Sequence, residues 1–267
     1  MQVRMERTDF MNGQLTNLRG NSITALAPPK PNSNLLSRKL LILATIITTV
    51  LWFVPYSDII LYPLRLFVTF VHESGHAVAS TITGGTVLSL QVKPNGSGLT
   101  QTMQSPLFQW LTLSGGYLGT TIFGAILLHV GRLNRWQNSG RATLTVGSLC
   151  MLGITLFWAR DIFTLSAGLI LTAFLWGLAR LLPPAASLFA ASFIAVQCSL
   201  NALSDIRILL GLTSSGMTEN DAGFMSKAYP ILPPSAWAGL WAIAALLILV
   251  ISLRKYWRAT SNSPARK

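Results

Sequence analysis

Residues 61–85 read LYPLRLFVTFVHESGHAVASTITGG. Most of the run is a hydrophobic helix, yet a turn and a half of it carries His72, Glu73 and His76. Ionisable groups inside an apolar segment cost free energy and mark functional sites. Positions i and i+4 share one helix face, so His72 and His76 can reach a single metal ion together. Glu73 follows the first ligand and points to an adjacent side, near the metal's open position. This is the HExxH arrangement of two zinc ligands and a general base. The chain has only three histidines and eight acidic residues. Two of the histidines and one acid fall inside this run, which sets it apart from a chance pentapeptide.

A structural zinc is closed by four protein ligands, usually with cysteines among them, whereas a catalytic zinc keeps one position for water. Zn2+ of the second kind is the expected cofactor, and a third ligand must come from elsewhere. His129 stands at a segment end beside Gly131 and Arg132 and reads as interfacial. Cys150 and Cys198 lie in apolar segments without a CxxC pattern and read as small buried hydrophobes. Asp58 and Asp161 sit in short connections. Asp205, in CSLNALSDIRILLGL, lies late in an apolar helix and needs a cation or a donor. Arg207 is two residues on and faces away on the same helix. Asp205 is therefore the first choice, with Asp221 as the alternative. Asn201, one turn before Asp205, is a candidate for orienting a ligand or the substrate backbone.

The surroundings are those of a membrane protein. Of 267 residues, 51% are apolar and 10% charged, where a soluble domain has about a quarter charged. The net charge of +12 does not form a nucleic-acid-binding face. Its residues collect before the first apolar segment, after the last, and in the loop carrying Arg132, Arg135 and Arg141. That distribution anchors and orients a chain in a lipid bilayer. No nucleic-acid partner is expected.

Apolar segments fall at roughly 40–56, 61–83, 107–130, 142–158, 162–182, 185–210 and 235–253. They predict an all-α polytopic membrane protein of six or seven transmembrane helices. Residues 1–34 read as a disordered basic tail, 35–255 as the membrane domain, and 256–267 as a basic C-terminal tail. If the basic N-terminus and the 131–141 loop share one side, an odd number of intervening segments does not fit, so incomplete spanning is expected over 61–106. After Gly84-Gly85 stops the HExxH helix, Val87, Leu88, Leu90 and Val92 suggest a strand. Asn95-Gly96 gives a turn and Leu99–Met103 a return strand. A short β-hairpin is thus expected after that helix. Gly115 and Gly119 form a GxxxG pair that permits close helix packing.

With HESGHA in a membrane helix, a Gly-rich hairpin after it and SLNALSDIRIL late in the chain, the sequence resembles the site-2 protease family of intramembrane zinc metalloproteases. The similarity is to its compact peptidase-like membrane branch and covers roughly residues 60–245, including DAGFMSKAYPILPPSAWAGLW. The resemblance implies His72 and His76 as zinc ligands, Glu73 as catalytic base and a late aspartate as third ligand. Many members carry that aspartate before a glycine; here Ile206 follows Asp205, which keeps Asp221 open. It further implies hydrolysis of a peptide bond in or near the transmembrane segment of a membrane-anchored protein. The membrane would be a bacterial inner or photosynthetic-type one. The hairpin would take the unwound substrate by strand addition, with Val87, Leu88 and Leu90 at the contact; plugging the cavity is its other reading. A catalytically inactive scaffold or a metal-binding transporter is the competing function. Intact His72, Glu73 and His76, and the lack of an internal repeat, favour the enzyme.

Overall fold

The computed structural model describes residues 33–51, 61–131, 138–214 and 220–261, isolated positions between 52 and 60, and residues 15–16 and 22–23. Over 201–214 it describes only the helical backbone. The chain divides into an N-terminal unit, 1–33, and a second unit from residue 34 onward. In the first, β1 (Leu15–Thr16) pairs antiparallel with β2 (Ser22–Ile23).

The second unit is helical. Each of the seven apolar segments contains a helix: α1 (Ser33–Leu51), α2 (Tyr62–Ile82), α3 (Gln109–Gly131), α4 (Ser139–Trp158), α5 (Ile162–Leu181), α6 (Pro184–Ser214) and, after the short α7 (Asp221–Ala228), α8 (Pro234–Ser261). Among the described residues four helices, α3, α4, α5 and α8, are long and apolar enough to cross a bilayer. That is fewer than the six or seven expected from the sequence. For α2 the difference is one of composition, because the helix is interrupted by Arg65, His72, Glu73, Ser74 and His76. Of α6, only Pro184–Leu200 lies within the residues whose side chains are described.

The region 61–106 consists of α2 and a hairpin folded back along it. Strand β3 (Thr86–Val92) pairs antiparallel with β4 (Gly98–Met103), with Gln91 opposite Leu99 and an irregularity between Val87 and Ser89. The turn is closed by Lys93 N donating to the Ser97 carbonyl at 2.8 Å and by Asn95 Oδ1 accepting from Ser97 N at 3.0 Å. Gly96 takes a φ of +82°, where a side chain would be strained.

Polar contacts fix the hairpin to α2 at both ends. At the turn, Tyr62 Oη donates to the Pro94 carbonyl at 2.7 Å and Thr69 Oγ1 to that of Gly96 at 2.9 Å. At the open end, Ser80 Oγ donates to Gln104 Oε1 at 2.8 Å, and Gln104 Nε2 to Thr83 Oγ1 at 2.6 Å. The outer edge of β3 meets the α4–α5 connection. Leu90 bridges Ala159 in parallel sense, and Val92 N donates to Thr164 Oγ1 at 2.9 Å. Asp161 caps α5 by accepting from Thr164 N, so its carboxylate has a structural role.

Helices α2 and α3 touch backbone to backbone. A Cβ on Gly75 would strike the Gly115 carbonyl, and one on Gly119 would lie 3.0 Å from Gly75 Cα. The GxxxG pair therefore presses α3 onto the face of α2 that carries the histidines. Helix α7 is seated separately, with Ala222 and Met225 buried against Tyr117, Ala238 and Trp241.

Candidate metal centre

The face of α2 that meets α3 presents His72 and His76. His76 is buried, and its Nδ1 lies 2.7 Å from the Thr112 carbonyl oxygen. A carbonyl only accepts, so Nδ1 carries a proton, and in the neutral ring the lone pair then lies on Nε2. That Nε2 lies 3.2 Å from His72 Nε2 and 3.3 Å from Asp221 Oδ2. His72 Nε2 and Asp221 Oδ2 are 3.2 Å apart. Three electron-rich atoms from two helices thus make a nearly equilateral triangle, which is stable only with positive charge shared among them.

The donor set fits a metal. Two imidazoles and one carboxylate are a familiar first shell for a catalytic zinc. Tetrahedral coordination at about 2.0–2.1 Å separates ligand atoms by about 3.3 Å, and the triangle has that edge. The Thr112 carbonyl supplies the outer hydrogen bond that fixes a ligating histidine's tautomer.

Space for the cluster depends on Gly116. A Cβ there would land on the Nε2 atoms of both His72 and His76. The bare α3 backbone is therefore the wall behind the ligands. Tyr117 meets His72 edge-on at 4.8 Å between ring centroids and stacks on Trp241 at 5.2 Å. Trp241 Nε1 in turn donates to Ser114 Oγ at 3.0 Å. This aromatic stack is also the surface that α7 rests on.

Asp221 is the first residue of α7. Asn220 caps the helix, its Oδ1 accepting from Gly223 N at 2.8 Å. Burial on its own would push the Asp221 carboxyl up. The charge and hydrogen bonds of the facing imidazoles, in their protonated form, outweigh it and hold the carboxyl far below its ordinary range. Glu73 is buried beside the cluster, with Thr100 Oγ1 2.7 Å from its Oε2.

The structure brings together His72, His76 and Asp221, the alternative of the two aspartates weighed from sequence. Asp205 and Asn201 lie on α6, and their side chains are outside the described residues. His129 is exposed on the last turn of α3, about 20 Å along that helix from Gly116. Cys198 is buried, as expected of a small hydrophobe, whereas Cys150 is exposed. On β3, Leu88 is exposed and Val87 half-buried, but Leu90 is fully buried in the core. Leu90 therefore offers no free surface, because its strand edge is covered by Ala159. The sequence reading missed Thr100, Gly116 and the Thr112 carbonyl. Gly116 left a trace in the Gly115-Gly116 pair; a backbone acceptor such as that of Thr112 leaves none.

A helical membrane fold with two histidines and a carboxylate converging beside a buried glutamate defines the class of membrane metallohydrolases. Residues 42–252 match the family described as Peptidase M50B-like, and the chain belongs to that family, within the site-2 protease group of membrane metalloproteases. No curated protein and no solved structure matches the chain.

Proposed function

We propose that the protein is an intramembrane zinc endopeptidase that cuts a membrane-anchored protein in or near its transmembrane segment. The observation that carries this reading is the triangle of His72 Nε2, His76 Nε2 and Asp221 Oδ2, with edges of 3.2–3.3 Å, next to the buried Glu73. In this reading Asp221, rather than Asp205, is the third ligand. Zinc held there would supply Lewis-acid polarisation of the scissile carbonyl and acidify a water molecule.

The chain's own residues do the rest. Thr112 keeps the His76 proton on Nδ1, away from the ligand position. Glu73 accepts the proton of the attacking water and passes it to the leaving amide nitrogen. The low-dielectric wall of Tyr117 and Trp241, both buried, strengthens these charge interactions.

A helical substrate must unwind before a peptide bond reaches such a site, and an unwound strand needs backbone partners. The β3 edge is engaged by Ala159 and Thr164. Strand β4, which contacts Glu73 through Thr100, is therefore the proposed strand for substrate addition. Val87 and Leu88 would then line the approach from the partner strand. The test is cleavage of a single-span test protein reconstituted with the full chain in liposomes. Wild type should cut it, and Glu73→Gln should retain the metal yet lose at least about 100-fold in rate, since only the base is removed. Equal cleavage by both proteins would refute the assignment.

A further inference from the structure

The glutamate of the HExxH run is held by the hairpin rather than by its own helix. Thr100 Oγ1 on β4 lies 2.7 Å from Glu73 Oε2 and 3.0 Å from the Glu73 carbonyl oxygen. A hydroxyl has one proton to give, and the shorter, charge-assisted bond to the carboxylate is the stronger claim on it. Two residues earlier, Gly98 meets the other side of the same group. A Cβ at 98 would fall on Glu73 Oε1 and come within 2.6 Å of its Cγ and 2.7 Å of its Cδ. Residues i and i+2 of a strand share a face. One face of β4 thus encloses the carboxylate, with a donor on Oε2 and bare backbone beside Oε1.

We propose that Thr100 is a positioning residue for Glu73, and that position 98 must lack a side chain so that the carboxylate can occupy its seat. The inference rests on the proteolytic reading above and deepens it. A glutamate has three side-chain torsions, and without an anchor its carboxylate spreads over several rotamers. Proton transfer needs it within about 2.6–3.2 Å of the water it deprotonates. A misplacement of about 1 Å costs on the order of 10²-fold in rate. The hydroxyl of Thr100 removes that freedom at Oε2, and the close approach of Gly98 removes it at Oε1. Because β4 is also the strand proposed to take substrate, the base and the docking strand are tied by one hydrogen bond.

The experiment compares wild type, Thr100→Val, Thr100→Ser and Gly98→Ala in liposomes with the single-span test protein, and measures zinc content in each. Thr100→Val should lower kcat about 100-fold with KM and zinc content unchanged, and Thr100→Ser should recover most of the loss. Gly98→Ala should lower kcat with zinc retained. A second measurement does not depend on turnover. Melting temperatures of Thr100→Val, Glu73→Ala and the double variant should be non-additive, because the two residues touch. Wild-type kcat in Thr100→Val, equal losses in the Val and Ser variants, or additive melting shifts would each overturn the proposal. If wild type and Glu73→Gln are equally inert while the melting shifts are non-additive, the proteolytic reading fails and the Thr100–Glu73 contact stands.

Discussion

Gly116→Ala is the sharpest probe of the metal centre because it replaces no ligand and adds one methyl group. Alanine in a helix interior is favoured over glycine by about 0.8–1.0 kcal/mol, so on propensity alone the variant would be more stable. The structure predicts otherwise. The added Cβ would land on the Nε2 atoms of both His72 and His76. To restore ordinary contact each ring must retreat by about 1 Å. Overpacking of this kind costs about 1–3 kcal/mol, so the net change in stability is a loss of about 0–2 kcal/mol. The effect on the metal is larger. Ligand distances tolerate only about 0.2 Å, so two rings displaced together cannot share one ion. Zinc affinity should fall by at least about 100-fold, the upper end of what outer residues usually control. The assay is zinc content of detergent-purified protein equilibrated against a graded zinc buffer, alongside a melting curve. Gly153→Ala, on a helix position where a Cβ meets nothing within 4 Å, is the matched control and should leave zinc binding unchanged. Gly116→Ala with wild-type zinc affinity would refute the claim that Nε2 of both histidines faces the metal.

Asp221→Asn should abolish zinc binding at stoichiometric concentration while Asp205→Asn keeps it; the reverse pattern by elemental analysis would return the third ligand to Asp205. Gly75→Ala should destabilise the protein by about 1–3 kcal/mol or more, because the atoms it would strike are the Gly115 backbone, which cannot rotate away; an unchanged melting temperature in detergent would contradict that crossing. Trp241→Ala should weaken zinc binding without touching a ligand, since it removes the ring on which Tyr117 stacks and against which α7 rests. Zinc content at limiting metal measures that loss, and wild-type content would separate the stack from the placement of Asp221.

Much of the site was legible because helical spacing is a short-range fact. His72, Glu73 and His76 sit within five residues, and the period of the helix alone puts the histidines together. The hairpin was legible for a similar reason, since Asn95-Gly96 acts through local backbone preference. The carboxylate that joins the histidine pair was not. Asp221 lies 149 residues from His72 in sequence, in a short helix of modest hydrophobicity that periodicity does not single out. Asp205 looked more conspicuous because its surroundings are apolar, and apolar surroundings say that a carboxylate needs a partner without saying which one. Among the described residues four helices meet the measure of a span, fewer than the apolar runs suggested. The run of α2 falls short because it carries the polar residues of the site, several of them buried in protein.

What the sequence determined by itself is whatever depends on neighbours within a few turns: the helices, the hairpin, the histidine pair and the glutamate beside it. What only the tertiary structure decided is which backbone lies against that pair and which carboxylate completes it. Gly75 and Gly115 let α3 close on α2 until Gly116 backs the ligands and the Thr112 carbonyl holds the His76 proton. Tyr117 and Trp241 then give α7 a surface that delivers Asp221. These contacts join residues far apart in the chain, and they arise from shape and packing, which no local pattern of residue types encodes.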